Sequence, residues 1–203
     1  SSSKEEHFTK DEWTLDMIAR EYPSYGSSDL RSPAVQIVHE DGASVSEFIY
    51  ESHRIFAGKT PLEGLPATYT EEPDEAQTLE ITLRDPVDGM KAVLSYTVFD
   101  RFDAITRSVR LVNEGKQKVK LLRALSANVD FDDKEFDMLH LSGSWAHERQ
   151  IVKRRLAPGE QSIESRRGFS SHQQNPFLAL ARPGATEQTG EVYGFSLVYS
   201  GDF

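Results

Sequence analysis

The sequence contains no cysteine among its 203 residues. This absence excludes a disulfide framework, a thiolate nucleophile and a metal site built on cysteine. Because chains without disulfides are typical of reducing compartments, we expect a cytoplasmic protein.

Long apolar runs and an excess of positive charge are also missing. No run approaches the roughly 20 apolar residues that span a bilayer, and the N-terminus lacks the hydrophobic segment of a signal peptide. The 33 acidic residues outnumber 23 basic ones and give a formal net charge of -10. Such a charge repels phosphate backbones and anionic lipids, so we expect neither nucleic acid nor a membrane as a partner.

Motifs for metals and cofactors are missing as well. The six histidines are scattered, without the paired spacing that places two ligands on one face of a helix. The 13 glycines never form a glycine-rich turn between a strand and a helix, which is the pattern of phosphate-binding loops. We therefore expect no cofactor.

A single short helix is predicted, close to the N-terminus. Leu15, Ile18 and Tyr22 recur at helical intervals over residues 11–21, and Pro23 ends the segment. We interpret residues 1–10, which are rich in serine and charge, as a disordered lead-in or a cloning remnant.

From residue 34 onward the hydrophobic pattern alternates. Residues 35–39 and 45–50 flank an Asp-Gly turn at 41–42, which predicts a β-hairpin, and residues 58–73 are predicted to be irregular because of their prolines. Many strands joined by short turns indicate an all-β fold, a large antiparallel sandwich of two sheets. Further strands are predicted at residues 78–83, 90–99, 105–113, 119–131, 138–141, 151–155, 162–165, 177–180 and 192–199.

The most unusual chemistry lies in residues 141–177. Trp145, one of two tryptophans, is followed by a dense set of hydrogen-bonding side chains. A sugar site uses this mixture, with a flat apolar face for the C–H side of a pyranose and polar groups for its hydroxyls. The polar candidates are Glu148, Arg149, Arg166, Arg167, His172, Gln173 and Asn175.

Several stretches resemble one family, in the same order along the chain. They are EYPSYG at 21–26, GLPATY at 64–69, GSWAHER at 143–149, SSHQQNPF at 170–177 and GEVYGFSLVYSG at 190–201. These stretches resemble the N-terminal region of bacterial α-galactosidases of glycoside hydrolase family 36.

The resemblance implies a fold and a reaction. Family members begin with a galactose-mutarotase-like β-supersandwich, continue into a catalytic (β/α)8 barrel and form homotetramers. They hydrolyse terminal α-galactosides such as melibiose and raffinose with retention and without a cofactor. Their nucleophile and acid/base are both aspartates of the barrel.

The sequence departs from the family by omission. A barrel needs about 250 residues of alternating strand and helix, and nothing here alternates in that way. We therefore expect residues 11–203 to be the N-terminal domain alone, without a catalytic residue and inactive by itself.

The resemblance implies that Trp145 helps to wall the galactose subsite, whereas large aromatic residues more often serve packing. Arg166, Arg167, His172, Gln173 and Asn175 are expected to brace the site rim or dock the sandwich onto the barrel. The alternative is a hydrogen-bonded loop whose arginines pair with nearby acids. Glu148 and Arg149 are expected to orient Trp145 or to bind the barrel, and the alternative is an exposed pair at a strand end.

Two other functions stay open at this point. One is a free-standing carbohydrate-binding module with Trp145 and Trp13 as sugar platforms. The other is a mutarotase-like enzyme that uses His172 and Glu148, although the sequence does not resemble that family.

Overall fold

The structure, a computed structural model, describes residues 18–26 and 31–203. It confirms the predicted fold class, because the described residues are mainly β and every sheet is antiparallel. The described residues form two compact units, residues 18–26 and 31–59 with 70–130, and residues 60–69 with 131–203. The strands are β1 (Val35–Val38), β2 (Ile49–Ala57), β3 (Ala76–Arg84), β4 (Met90–Phe99), β5 (Ile105–Asn113), β6 (Lys120–Ala124), β7 (Asp137–Ser144), β8 (His147–Arg155), β9 (Gln174–Ala181) and β10 (Val192–Ser196).

The first unit contains a two-stranded sheet, β1-β6, and a four-stranded sheet in the order β2-β3-β4-β5. Alternate residues of β4 point to the same side, and Met90, Ala92 and Leu94 are buried there. They pack in one cluster with Val35 and Ile37 of β1. Burying an aliphatic side chain of this size contributes about 1.5 to 3 kcal/mol, so this cluster holds the two sheets together.

The predicted hairpin after β1 is wrong in its pairing. The turn itself forms, with the His39 N–H donating to the Ala43 carbonyl at 2.8 Å. However, β1 pairs with β6, and β2 pairs with β3. The Asp-Gly turn reverses the chain locally, but the burial of Val35 and Ile37 against β4 decides where β1 lies.

Three other predictions concern the irregular parts of the chain. Most of the predicted helix at 11–21, and Trp13 with it, lies outside the described residues; its described part, residues 18–21, is not helical. The predicted strand at 162–165 is not a strand; Ser165 instead exchanges two backbone hydrogen bonds with Phe203, at 2.8 and 3.0 Å. Residues 58–72 are irregular as predicted and lead into a short 3-10 helix, Pro73–Glu75, that the sequence did not predict.

The second unit is built on one four-stranded sheet in the order β10-β9-β7-β8. Phe131, Phe136 and Tyr193 form edge-to-face ring pairs, with centroids 5.0 to 6.0 Å apart. Arg182 lies over the Phe136 ring at 4.1 Å and bonds to Asp133 and Glu191. Among the residues that the structure describes, no helix has the length and apolar character that crossing a membrane requires.

Candidate functional site

The β7–β8 hairpin carries Trp145 at its tip. Ser144 and His147 face each other as the last pair of the hairpin, so Trp145 and Ala146 form a two-residue turn. The Trp145 side chain is 83% exposed, which excludes a role as a core residue of this unit. An indole presented in this way offers an apolar face on which another group can stack.

The hairpin backbone is strained. Ala146 has a φ of 63° and Arg149 a φ of 55°, and they are the two non-glycine residues with positive φ in the described part of the chain. Each left-handed residue with a side chain costs about 1 to 2 kcal/mol. Such strain persists only where the surrounding structure enforces it, and it concentrates at functional positions.

Gly143 allows the two strands of the hairpin to approach closely. A Cβ atom at this position would lie 2.2 Å from the His147 carbonyl oxygen and 2.9 Å from the Glu148 Cα. The pairing register shifts between Ser142 and Ser144, which marks a β-bulge at this point. Glycine is therefore required here for lack of space, and the bulge sets the direction of the hairpin tip.

The Glu148 carboxylate closes the turn. Its Oε1 accepts a hydrogen bond from the Ala146 N–H at 2.8 Å. The pKa of Glu148 is lowered mainly by its own backbone N–H and that of Ala146, and the His172 imidazole adds a smaller electrostatic contribution. Because hydrogen bonds to the charged form favour ionisation, Glu148 is an anion at neutral pH.

A second turn lies beside the hairpin. His172 and Gln173 form the turn between Ser171 and Gln174, at the start of β9. The Gln173 carbonyl accepts hydrogen bonds from the Gly143 N–H at 3.2 Å and from the Ser142 hydroxyl at 2.8 Å. We call this end of the sheet, with the Trp145–Ala146 turn and the His172–Gln173 turn, the hairpin end.

The remaining predicted residues lie on strands β8 and β9 and in the loop that precedes β9. Arg149 and Arg167 are exposed, and Arg166 forms an exposed ion pair with Glu164 at 3.1 Å. This pair matches the alternative of a loop arginine bonded to a nearby acid. The Asn175 Oδ1 is buried without a hydrogen-bond partner.

Sequence reasoning missed two contributors to this end. Gly143 and Ser142 connect the two turns. Phe169, which is 56% exposed, lies in the loop that leads to Ser171. The glycine was visible as part of the GSW run, but only the fold shows which backbone atoms it approaches. The loop is held by the Ser170 N–H, which donates to the Ser200 carbonyl at 2.7 Å.

The shifted carboxyl groups do not form a hydrolytic pair. A glycosidase needs one carboxylic acid with a raised pKa as proton donor. Within residues 18–26 and 31–203, hydrogen bonds to cations, to a tyrosine or to backbone N–H groups instead lower the pKa of five carboxyls and keep them ionised. These are Glu51, Asp133, Asp137, Glu148 and Glu191.

Comparison with known proteins decides the family. The model of the Glycosyl hydrolase family 36 N-terminal domain matches residues 1–203. The chain belongs to glycoside hydrolase family 36. It is 52% identical over 191 residues to α-galactosidase AgaA of Geobacillus stearothermophilus. The aligned region covers 94% of this chain and 26% of AgaA.

Solved structures of family 36 agree with the sequence match. The crystal structure of AgaB from Geobacillus stearothermophilus is 52% identical, with a TM-score of 0.90 over 93% of this chain and 26% of that one. A variant of AgaA in complex with raffinose gives a TM-score of 0.91 at 52% identity, over 94% of this chain and 26% of that one. The chain thus spans about a quarter of the length of these relatives, and the predicted family is confirmed.

Proposed function

We propose that this chain is the N-terminal domain, residues 11–203, of an α-galactosidase that hydrolyses terminal α-galactosides of the melibiose and raffinose type. The observation that carries the proposal is the 52% identity to AgaA, an α-galactosidase of which the chain spans 26%. The catalytic aspartates then belong to a barrel domain, and the 203 residues alone are inactive. Neither a free-standing binding module nor a mutarotase is favoured by these relatives.

Within that enzyme, Trp145 walls the galactose subsite. Its support is the 83% exposure of the side chain on a strained, hydrogen-bonded hairpin. When the C–H face of a sugar stacks on the indole, both apolar surfaces are removed from water, and this burial favours binding.

The polar residues of the hairpin end dock the domain onto the barrel. Arg149 and Arg167 present exposed positive charge, and His172 and Gln173 lie at the tip of the second turn. Arg166 extends this surface, and the unpartnered Asn175 Oδ1 is an acceptor that a donor from another domain can satisfy.

We further propose that the full-length enzyme is cytoplasmic and forms a homotetramer. Cell fractionation tests the location, and analytical ultracentrifugation tests the oligomeric state.

The test substitutes Trp145 in the full-length protein that carries this chain. Loss of an apolar stacking surface worth about 1.5 to 3 kcal/mol predicts that Trp145→Ala lowers kcat/KM for raffinose by about tenfold to a hundredfold. Trp145→Phe keeps part of the surface and should lose less. The control is Phe102→Ala, because Phe102 is 68% exposed in the first unit and should leave the kinetics unchanged.

Two results would contradict the proposal. If Trp145→Ala has the same kcat/KM as the parent protein, Trp145 does not line the galactose subsite. Turnover of an aryl α-galactoside by the 203 residues alone would place catalytic acids within this chain.

A further inference from the structure

The tip of the β7–β8 hairpin has a conformation that its own sequence does not favour. Ala146 lies in the left-handed region at φ 63°, where a residue with a Cβ is disfavoured and glycine is usual. Arg149, three residues later, is left-handed as well. Without a compensating contact, Trp145 would be carried by a turn with several accessible conformations.

The Glu148 carboxylate supplies that contact. It accepts the Ala146 N–H at 2.8 Å, a hydrogen bond from an amide to an anion, which is stronger than one between neutral groups. The lowered pKa of Glu148 keeps the acceptor charged at neutral pH. The contact spans the turn, so it fixes the backbone on the C-terminal side of Trp145.

The other side of the turn is fixed independently. Ser142 and Gly143 precede Trp145 and both donate to the Gln173 carbonyl, at 2.8 and 3.2 Å. The chain is therefore held on both sides of the indole, by a neighbouring turn before it and by Glu148 after it.

We propose that Glu148 is a positioning residue for α-galactoside recognition, which acts by holding the Trp145 turn and not by touching the sugar. This inference rests on the proposed role of Trp145 in the galactose subsite. Preorganisation of the indole reduces the cost of ordering it when substrate binds. Loss of Glu148 then weakens substrate binding through Trp145, with the chemistry of the barrel unaffected.

The experiment is a double-mutant cycle in the full-length protein, with raffinose as substrate. Loss of one net hydrogen bond predicts that Glu148→Ala raises KM by about threefold to tenfold at nearly constant kcat. Glu148→Gln should restore most of the loss, because its amide oxygen can accept the Ala146 N–H. Glu148→Asp keeps the charge but is too short to reach, and should resemble Glu148→Ala.

Amide hydrogen exchange supplies a readout besides activity. The peptide that covers residues 141–150 should exchange faster in Glu148→Ala than in the parent protein, and Glu148→Gln should reduce the difference. Glu160→Ala is the matched control, since it removes an exposed acid of the same unit to which no role in the docking surface is assigned. It should change neither KM nor exchange at 141–150.

The cycle separates the possible failures. In the Trp145→Ala background, Glu148→Ala should have no further effect on KM, because the group that it positions is gone. If its effect persists there, Glu148 acts on its own and the inference is overturned. If Trp145→Ala changes KM but Glu148→Ala changes neither KM nor amide exchange, the proposed role of Glu148 is wrong and that of Trp145 stands. If Trp145→Ala leaves KM unchanged, Trp145 does not belong to the galactose subsite, and the proposed role of Glu148 falls with it.

Discussion

The close approach at Gly143 makes a quantitative prediction. In Gly143→Ala, the new Cβ would lie 2.2 Å from the His147 carbonyl oxygen, whereas C···O contacts are ordinarily about 3.3 Å. The obstacle is backbone, so a side-chain rotation cannot relieve it. Strand β8 must therefore move away from β7 by about 1 Å at the base of the Trp145 turn.

Two effects of different size follow from that movement. Forced overpacking costs about 1 to 3 kcal/mol of the free energy of unfolding. Displacement of a substrate-positioning group by about 1 Å can lower the rate by about a hundredfold. We expect Gly143→Ala in the full-length protein to lower the urea unfolding midpoint and to reduce kcat/KM for raffinose by about tenfold to a hundredfold.

The matched control is Gly115→Ala. A Cβ at Gly115 would lie 2.0 Å from the Asp88 carbonyl oxygen, so the clash is again with backbone, but Gly115 follows β5 in the first unit. It should cost similar stability and leave kcat/KM unchanged. The reasoning is refuted if Gly143→Ala unfolds within about 0.5 kcal/mol of the parent, or if both variants change kcat/KM alike.

Two further predictions concern stability. Leu94→Ala, at a side chain that is 1% exposed, should lower the free energy of unfolding by about 2 to 5 kcal/mol in urea titrations, whereas Val98→Ala at a 52% exposed site of β4 should cost far less. Hydrogen bonds lower the pKa of Asp133, mainly from Arg182, and the pKa of Glu191, mainly from Tyr193 and then from Arg182, below their ordinary 3.8 and 4.5. Their stabilisation is therefore complete above those values and is lost as pH falls below them. Arg182→Met should reduce the loss of unfolding free energy between neutral and acidic pH. If the free energy of unfolding falls with pH as steeply as in the parent protein, Arg182 is not the partner that stabilises these carboxylates.

The strands were predictable where local signals were complete. For β3, β4 and β5, the alternating pattern and the turn residues between strands were enough, because side-chain period and turn chemistry are properties of neighbouring residues. A different local signal, the dense set of hydrogen-bonding side chains that follows it, indicated Trp145, and the order of the motif stretches indicated the family. They did not specify what each strand pairs with.

By itself, the sequence determined the all-β class and the family. The tertiary structure decided that β1 pairs with β6, that Gly143 contacts the backbone of β8, and that the Gln173 carbonyl joins the two turns of the hairpin end. The physical reason is the same in each case. The alternation of hydrophobic and polar residues indicates which face of a strand is buried. Neighbouring strands that are far apart in sequence are selected by burial and backbone hydrogen bonding, and these interactions exist only after the chain has folded.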